Sequence, residues 1–436
     1  MIRRLETRAL GLDGVVRALD RPPASVDPEI HQRVAGILAA VRDKGDAALI
    51  ELTERFDRVS LEPGDLRVTP SEYDTAERQV GERTVEALRY AARRIEAFHR
   101  AAMPRAWSIK DDNGSRLGQD VRPLERVGIY VPGGRAAYPS TVLMTAVPAR
   151  VAGVKEIVLV SPPAADRSLH PAVLVAARIA GVTEAYRMGG AQAIAALAYG
   201  TETIRRVDKI VGPGNIYVAL AKARVFGEVG IDMLAGPSEV VVVADEGADP
   251  AFVAADLLAQ AEHDPMARSV LLTPSAALAD RVAVETERQL GELPRREIAA
   301  SALGANGALV LTADLDEAVE VANRLAPEHL ELLVAHPEAL LPRVRNAGAV
   351  FLGRFTPEVV GDYVAGPDHV LPTGGAARFA SALSTEDFVK RLSVIQYTTR
   401  GFQEAWPHLA ELARVEGLAG HGAAAKVRIA RMGGTA

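Results

Sequence analysis

Short apolar runs, each closed by glycine or proline, occur along the chain from about residue 126 to residue 352. Most of them are rich in β-branched side chains, and polar residues do not alternate with the apolar ones. Continuous runs of this kind are typical of strands that are buried on both faces of a parallel sheet. We predict such strands at Val127–Val131, Glu156–Val160, Lys209–Val211, Val240–Val243, Ser269–Leu272, Ala308–Leu311 and Ala349–Leu352.

Helical patterns precede and separate these runs. Apolar residues between Val85 and Ile95 recur at three- and four-residue steps, which predicts an amphipathic helix. The Ala-rich segments Ala191–Tyr199 and Ile216–Phe226 are long enough to connect parallel strands. The alternation of strands and helices predicts an α/β fold with parallel sheets.

The strand pattern is lost from about Ser384 onward. Ser384 and Asp387 are spaced as in a capping box, so a helix is predicted to begin there. Another helix is predicted over Trp406–Val415. The segment Gly417–Ala436 is rich in glycine and alanine, and its composition alone predicts a loose tail.

Composition narrows the possible chemistry. The chain has 436 residues and a formal net charge of −6, so a strongly basic nucleic-acid-binding surface is not expected. It contains no cysteine, which excludes disulfides, iron–sulfur clusters and thiolate nucleophiles. A metal ion would need histidine, carboxylate or amide ligands. The sequence shows no secretory signal or membrane span, so we expect a cytoplasmic protein.

Gln260 and His263 are the first candidate metal ligands. A helix is predicted to begin at Asp249–Pro250, and three turns later these two residues share one helix face. Their amide oxygen and imidazole could bind one metal ion. An exposed polar helix end is the alternative interpretation.

Glu328 and His329 follow a proline and are flanked by apolar residues, which suits an acid–base pair. The alternative is a helix start at the same place. Asp362 and His369 lie in a segment rich in glycine and proline, which is typical of functional loops. Aspartate and glycine are also ordinary turn residues.

Glycine-rich segments mark the ends of several strands, at Pro132–Gly134, Gly189–Gly190 and Gly212–Asn215. They could bring backbone N–H groups to the phosphates of a dinucleotide. The sequence Gly-x-Gly-x-x-Gly does not occur after a strand, and glycine is common at any strand–helix turn.

Taken together, these motifs resemble those of the histidinol dehydrogenases. They occur in the family's order from about residue 30 to the tail, at Arg126–Gly134, Gly189–Ile194, Val211–Asn215, Ala235–Glu239, Gln260–His263, Ala326–His329, Gly361–Tyr363, Asp368–Pro372 and Glu416–His421. The resemblance implies two larger Rossmann-like α/β domains with parallel sheets and small N- and C-terminal helical segments. The implied boundaries are 1–28 for the N-terminal segment, 29–129 with 239–383 for the domain that carries most metal and catalytic residues, 130–238 for the NAD-binding domain, and 384–436 for the C-terminal segment.

The resemblance also implies a zinc-dependent enzyme that oxidises L-histidinol to L-histidine through a bound aldehyde, with reduction of two NAD. This is the last step of histidine biosynthesis. The implied zinc ligands are Gln260, His263, Asp362 and His421. The implied catalytic residues are Glu328, which activates water, and His329, which acts as the base. The implied NAD contacts are Tyr130, Gln192 and Asn215. The implied substrate contacts are Ser238, Gln260, His263, His329, Asp362, His369, Glu416 and His421.

The family is homodimeric, and the resemblance implies that Glu416 and His421 reach the active site of the partner subunit. The tail should then be ordered. Nucleic acid and membrane are not implied as partners. The alternatives are a zinc/NAD dehydrogenase for another amino or sulfonated alcohol, a zinc hydrolase in which Glu328 activates water, and an inactive binding protein. The glycine-rich strand ends and Tyr130 count against the hydrolase, and the intact Glu–His and ligand set counts against the inactive protein.

Overall fold

The computed structural model describes residues 2–20, 27–133, 137–234 and 236–432. The chain divides into two compact units. The first comprises the described residues of Met1–Ala102 and Leu124–Phe388, and the second those of Met103–Pro123 and Val389–Ala436. Strands and helices are numbered separately along the chain as β1–β14 and α1–α17.

One parallel sheet of the first unit has the strand order β6-β5-β4-β7-β8. Its strands are β4 (Arg126–Tyr130), β5 (Glu156–Ser161), β6 (Glu184–Arg187), β7 (Lys209–Val211) and β8 (Gly230–Ile231). The connecting helices are α6 (Pro139–Ala152), α7 (Pro171–Ala180), α8 (Gly190–Tyr199) and α9 (Ile216–Val225). The chain builds outward from β4 to β6 and then returns to place β7 on the other side of β4. Open α/β sheets bind ligands at the carboxyl ends of strands where the order reverses in this way.

The other parallel sheet of the first unit has the order β1-β11-β10-β9-β12-β13. Its strands are β1 (Arg3–Glu6), β9 (Glu239–Ala244), β10 (Arg268–Thr273), β11 (Ala308–Leu311), β12 (His329–Leu333) and β13 (Ala349–Leu352). The accompanying helices are α1 (Thr7–Leu19), α10 (Pro250–Ala261), α11 (Ala276–Leu290), α12 (Arg296–Asn306), α13 (Leu315–Leu325), α14 (Pro337–Leu340) and α15 (Glu358–Tyr363). Together the two sheets confirm the predicted α/β fold with parallel strands.

The valines of β9 show why this sheet needs continuous apolar strands. Val241 and Val243 belong to the same apolar cluster as residues of α1 and α13. Val240 and Val242 belong to the cluster that contains residues of α10 and α11. Helices therefore cover both faces, and a polar residue at any of these positions would lose its hydration.

The N-terminal helices pack on the side of the five-stranded sheet β6-β5-β4-β7-β8. These helices are α2 (Pro28–Lys44), α3 (Asp46–Asp57), α4 (Pro70–Gln79) and α5 (Glu82–Ala101). Val34 of α2 and Leu49 of α3 share an apolar cluster with Ile194 of α8. The apolar faces of α2 and α3 are therefore buried against α8 and α9 of this sheet. The domain boundaries implied by the family resemblance stay predictions.

The second unit contains an antiparallel sheet of strand order β14-β3-β2 and two helices. Its elements are β2 (Trp107–Lys110), β3 (Arg116–Pro123), β14 (Val389–Gln396), α16 (Thr399–Val415) and α17 (Ala419–Arg431). Across the described residues of both units, no helix has the length and apolar character needed to cross a membrane.

Two C-terminal predictions are wrong. Ser384 and Asp387 do form a local cap, with the Ser384 N–H donating to Asp387 Oδ2 at 3.0 Å, but a single 3-10 turn follows and the chain enters β14. The strand escapes recognition because it is mostly exposed and shows no alternation of apolar and polar residues. The segment expected to be a loose tail contains α17, whose Ala425 and Ile429 are buried. Residues 433–436 lie outside the described residues.

A buried histidine of α5 should make stability depend on pH. His99 Nε2 lies 4.0 Å from Asp368 Oδ2, and both side chains are fully buried. Burial lowers the pKa of His99 from 6.5 to about 4 and raises the pKa of Asp368 well above its usual value. As the pH falls below 6.5 the unfolded chain binds a proton at His99 that the folded chain does not bind. We expect His99 alone to remove about 2 kcal/mol of stability between pH 7.5 and pH 5.

The measurement is urea unfolding of the wild type and of His99→Asn at pH 7.5 and pH 5. The variant should lose less stability on acidification than the wild type. His408→Asn, which changes an exposed histidine, is the control and should behave like the wild type. A variant that loses more stability on acidification than the wild type would show that His99 and Asp368 form an ion pair.

Candidate active site

The two acid–base candidates lie side by side at the amino end of β12. Glu328 precedes this strand and His329 is its first residue, opposite Val240 of β9, so the segment begins a strand and not a helix. The backbone N–H of Glu239 donates to Glu328 Oε2 at 2.9 Å. The carbonyl oxygen of Glu239 lies 3.1 Å from His329 Nδ1. A single residue of β9 therefore holds both side chains.

These contacts fix the protonation of His329. A carbonyl oxygen only accepts, so Nδ1 carries the ring proton and Nε2 carries the free lone pair. Burial lowers the pKa of His329 to about 3, because the charged ring would lose its hydration. Nδ1 also lies 3.8 Å from Glu328 Oε2 and 4.0 Å from Glu358 Oε1. If Nε2 takes up a proton, the charged ring will thus have acidic groups beside its Nδ1.

Burial changes the acid–base properties of Glu328. Its side chain is almost fully buried, and this burial raises its pKa well above that of an ordinary glutamate. Hydrogen bonds from the Glu239 N–H and the Ser238 hydroxyl oppose this shift in pKa and orient the carboxyl group. A carboxylate with a raised pKa removes protons more effectively than an exposed one.

The side chain of Glu239 anchors the strand that carries these contacts. Its Oε2 is bound by Arg268, and its Oε1 accepts from the N–H of Gly374 at 3.1 Å. Arg268 is itself buried and donates to the carbonyl oxygen of Leu19 at 2.9 Å. The start of β9 is therefore held by charge-assisted hydrogen bonds on several sides.

Most of the predicted metal ligands of the first unit converge. Asp249 caps α10 by accepting from the N–H of Ala251 at 2.9 Å, which confirms the predicted helix start. Gln260 lies in the last turn of this helix and His263 in the turn that follows. His263, Glu358 and Asp362 have ligand atoms within 4.8 Å of one another.

Gln260 is connected to this cluster by its contact with Glu358. In the orientation that suits Glu358, the amide nitrogen of Gln260 donates to the carboxylate oxygens of Glu358 at 3.1 Å and lies 3.2 Å from His329 Nδ1. The amide oxygen is the atom of Gln260 that could bind a metal ion. Amide, imidazole and carboxylate donors fit zinc in a site without cysteine.

The acidic groups here also favour a cation. Burial raises the pKa of Glu358 well above its usual value, and the neighbouring Asp362, Glu331 and Glu328 raise it further. The N–H of Glu358 donates to Glu331 Oε1 at 2.7 Å, so the row of acids continues into the core. A divalent cation would offset the repulsion among carboxylates held this close together.

His369 connects the metal cluster to the other sheet. Its Nδ1 lies 3.0 Å from the carbonyl oxygen of Asp362, which assigns the ring proton to Nδ1. Its Nε2 lies 3.4 Å from the hydroxyl of Thr141 at the start of α6. The ring thus spans from a predicted ligand to the helix that follows β4.

The predicted NAD contacts lie near the point where the strand order of the other sheet reverses. Tyr130 ends β4, and its hydroxyl accepts from the N–H of Gly190 at 3.1 Å. Asn215 follows β7 and caps α9, accepting from Tyr217 N at 3.0 Å and Val218 N at 3.2 Å. Asn215 is exposed, whereas Tyr130 is buried and Gln192 is buried within α8. Gly134 and Ala235, which belong to two of the motifs, lie outside the described residues.

Glu416 and His421 lie in the second unit. Glu416 follows α16 and His421 lies in the first turn of α17, and both are exposed. Their contribution to a site stays a prediction.

Comparison with known proteins places this arrangement in a family. The sequence model of histidinol dehydrogenase matches residues 20–429. The chain belongs to the histidinol dehydrogenase family. A protein of Nostoc sp. named histidinol dehydrogenase 2 is 56% identical over 396 residues, which cover 91% of this chain and 92% of that protein. The histidinol dehydrogenase of Geobacillus kaustophilus is 56% identical over 412 residues, which cover 94% of this chain and 97% of that protein.

A solved member of the family has the same fold. The crystal structure of histidinol dehydrogenase from Elizabethkingia anophelis matches with a TM-score of 0.94 and 37% sequence identity, covering 99% of each chain. The resemblance drawn from the motifs and the fold class drawn from the apolar runs are both confirmed.

The roles of Glu239 and Glu358 are not predicted from the sequence. Glu239 lies in the motif Ala235–Glu239. Its backbone can hydrogen-bond Glu328 only because its strand pairs with a strand about ninety positions away in the sequence. Glu358 gives no spacing signal relative to Gln260. Its position one turn before Asp362 on α15 is the signal that could have identified it.

The cluster should bind zinc with an affinity that depends on Glu358 and Asp362. We expect Asp362→Asn and Glu358→Gln to weaken zinc binding by at least about tenfold each, because each removes a carboxylate from the site. Competition with a chromophoric chelator measures this directly. Glu262→Gln is the control, since it removes a neighbouring charge that lies outside the cluster. Equal affinity in all these proteins would show that the metal binds elsewhere.

Proposed function

We propose that the protein is a zinc-dependent L-histidinol dehydrogenase. It oxidises L-histidinol to L-histidine through a bound aldehyde and reduces two NAD, the last step of histidine biosynthesis. The observation that supports this most directly is that Glu328 and His329 are both hydrogen-bonded to the backbone of Glu239. They lie close to the cluster of possible metal ligands, Gln260, His263, Glu358 and Asp362, in a member of this family.

Zinc would be held by Gln260, His263, Asp362 and His421 of the partner subunit. When bound, it supplies a Lewis acid that holds the imidazole and amine nitrogens of the substrate and fixes the reacting carbon. Glu358 orients the amide of Gln260 toward this role. Ser238, His369 and Glu416 are the further groups proposed to contact the substrate.

NAD would bind at the ends of β4 and β7, near Tyr130, Gln192 and Asn215. When bound, it supplies the acceptor for the hydride that leaves the substrate carbon in each oxidation. The reversal of strand order between β4 and β7 supports this location, since open α/β sheets bind dinucleotides there.

His329 acts as the base of the alcohol oxidation. Its Nε2 lone pair takes the hydroxyl proton of L-histidinol as the carbon loses hydride, which leaves the aldehyde. The ring enters this step neutral because its buried environment disfavours the imidazolium. The carboxyl groups of Glu328 and Glu358, within 4.0 Å of Nδ1, then stabilise the protonated ring.

Glu328 acts as the base of the aldehyde oxidation. Its carboxylate takes a proton from water as the oxygen adds to the aldehyde carbon, which forms the anion of a hydrate. This anion then loses a hydride to the acceptor and its remaining hydroxyl proton, which gives the carboxylate of L-histidine. The chain contains no cysteine, so a covalent thiohemiacetal cannot form and the hydrate route is the one open to it.

The proposal includes a homodimer, because two proposed groups, Glu416 and His421, would come from the partner subunit. Their exposure in the single chain supports this, since side chains that complete a site across an interface are exposed before assembly. The cytoplasmic location expected from the sequence stays a prediction.

The two oxidations should respond differently to substitution of the two bases. His329→Asn is expected to slow L-histidinol oxidation by about a hundredfold or more, the usual contribution of a general base. Glu328→Gln is expected to slow oxidation of supplied L-histidinaldehyde to a similar extent and L-histidinol oxidation by less than about tenfold. Formation of reduced cofactor, followed by absorbance with each substrate, measures both.

The matched control is His408→Asn, which changes an exposed histidine in the second unit. It should leave both rates unchanged. Equal loss of both half-reactions in Glu328→Gln would refute this division of roles. Absence of any reduction by the wild type with zinc, NAD and L-histidinol would refute the proposed function itself.

A further inference from the structure

The turn Gly212–Asn215, which follows β7, is fixed by a buried ion pair. The N–H of Gly212 donates to Asp232 Oδ2 at 2.8 Å, and Lys222 Nζ donates to the carbonyl oxygen of Gly212 at 2.9 Å. Lys222 Nζ also binds Asp232 Oδ1, and the two side chains are 3% and 1% exposed. Both backbone polar groups of Gly212 are therefore held by the two members of one ion pair.

Gly212 must be glycine because the turn approaches β4 so closely. Its φ of +111° is open only to glycine in practice. A Cβ there would lie 2.3 Å from the carbonyl oxygen of Tyr130. The turn thus packs directly against the end of β4, at the reversal of strand order where a dinucleotide would bind.

Asp232 also belongs to the segment that leads into β9. It follows β8, and the same stretch of chain reaches Ser238 and Glu239, which hydrogen-bond Glu328. Gly236, in the same stretch, donates its N–H to the Thr373 hydroxyl at 2.6 Å. The ion pair therefore lies where the proposed cofactor turn meets the segment that enters the acid–base site.

Stability alone does not account for a pair in this position. Removing two charges from water costs several kcal/mol, and a buried ion pair often gains no more than apolar side chains of the same volume would. What Lys222 and Asp232 contribute specifically is the conformation of one glycine.

We propose that Lys222 and Asp232 are positioning residues for the dinucleotide. They hold the Gly212–Asn215 turn in the shape that receives the cofactor and tie it to the chain entering β9. This inference rests on the proposed function, because it takes NAD as the ligand of the turn.

The test is the double variant Lys222→Met/Asp232→Asn, which removes both charges and leaves no uncompensated ion in the core. We expect its dissociation constant for NAD, measured by calorimetry without substrate, to rise by about tenfold or more, because the turn loses its fixed geometry. The KM for NAD should rise with it. The KM for L-histidinol, and kcat at saturating NAD, should stay within about threefold of the wild type.

The matched control is Arg126→Met/Glu184→Gln. It neutralises another largely buried ion pair of the same sheet, at the amino ends of β4 and β6, away from the turn. The control should lower the unfolding temperature and leave NAD affinity unchanged. Equal loss of NAD affinity in both double variants would overturn the proposal, because it would show a general loss of packing.

Asp232→Asn alone provides a second variant that is nearly isosteric. Its carboxamide oxygen can accept from Gly212 or from Lys222, but without the charge that holds them together, so an NAD affinity between those of the wild type and the double variant is expected. If the double variant folds and binds NAD as tightly as the wild type, the positioning role is overturned and the proposed function stays intact. A wild type that does not bind NAD would instead refute the proposed function.

Discussion

The parallel pairing of β9 with β12 is the constraint on which the rest of the site depends. It places the N–H and the carbonyl oxygen of Glu239 opposite Glu328 and His329, so one residue orients both of the proposed bases. Backbone groups serve well here because they cannot rotate away as side chains can. Arg268 and the N–H of Gly374 then fix Glu239 itself. A shift of one residue in this register would turn His329 to the opposite face of the sheet.

The two sheets of the first unit use opposite ends for their proposed roles. The acid–base pair lies at the amino end of β12, and Glu239, which supports it, lies at the amino end of β9. Tyr130 is the last residue of β4, and Asn215 lies beyond the carboxyl end of β7. Only the second placement follows the usual rule for open α/β sheets. The contact between His369 and Thr141 shows that the two regions meet within one compact unit. An alcohol carbon held by one region can thus face a cofactor held by the other.

The sequence predicts the buried strands well and the exposed ones poorly. Val240–Val243 is recognisable because both faces of β9 are covered, while β14 is mostly exposed and carries no such pattern. The motifs predict Glu328, His329 and the ligand set through resemblance to a family, and the structure brings several of these residues together. They do not reveal Glu358 as the group that orients Gln260, or Lys222 as the support of the Gly212 turn, because those contacts depend on tertiary packing. The absence of cysteine is the one compositional fact that constrains the mechanism directly, since it leaves a hydrate as the route from aldehyde to acid.

In the proposed mechanism, one site carries out both oxidations without releasing the aldehyde. The most direct test is the amount of reduced cofactor formed per L-histidinol, measured with limiting L-histidinol and excess NAD in the presence of a nucleophile that traps free aldehyde. The account predicts about two equivalents of reduced cofactor whether or not the trap is present, because the aldehyde stays bound between the His329 and Glu328 steps. One equivalent together with trapped aldehyde would contradict it.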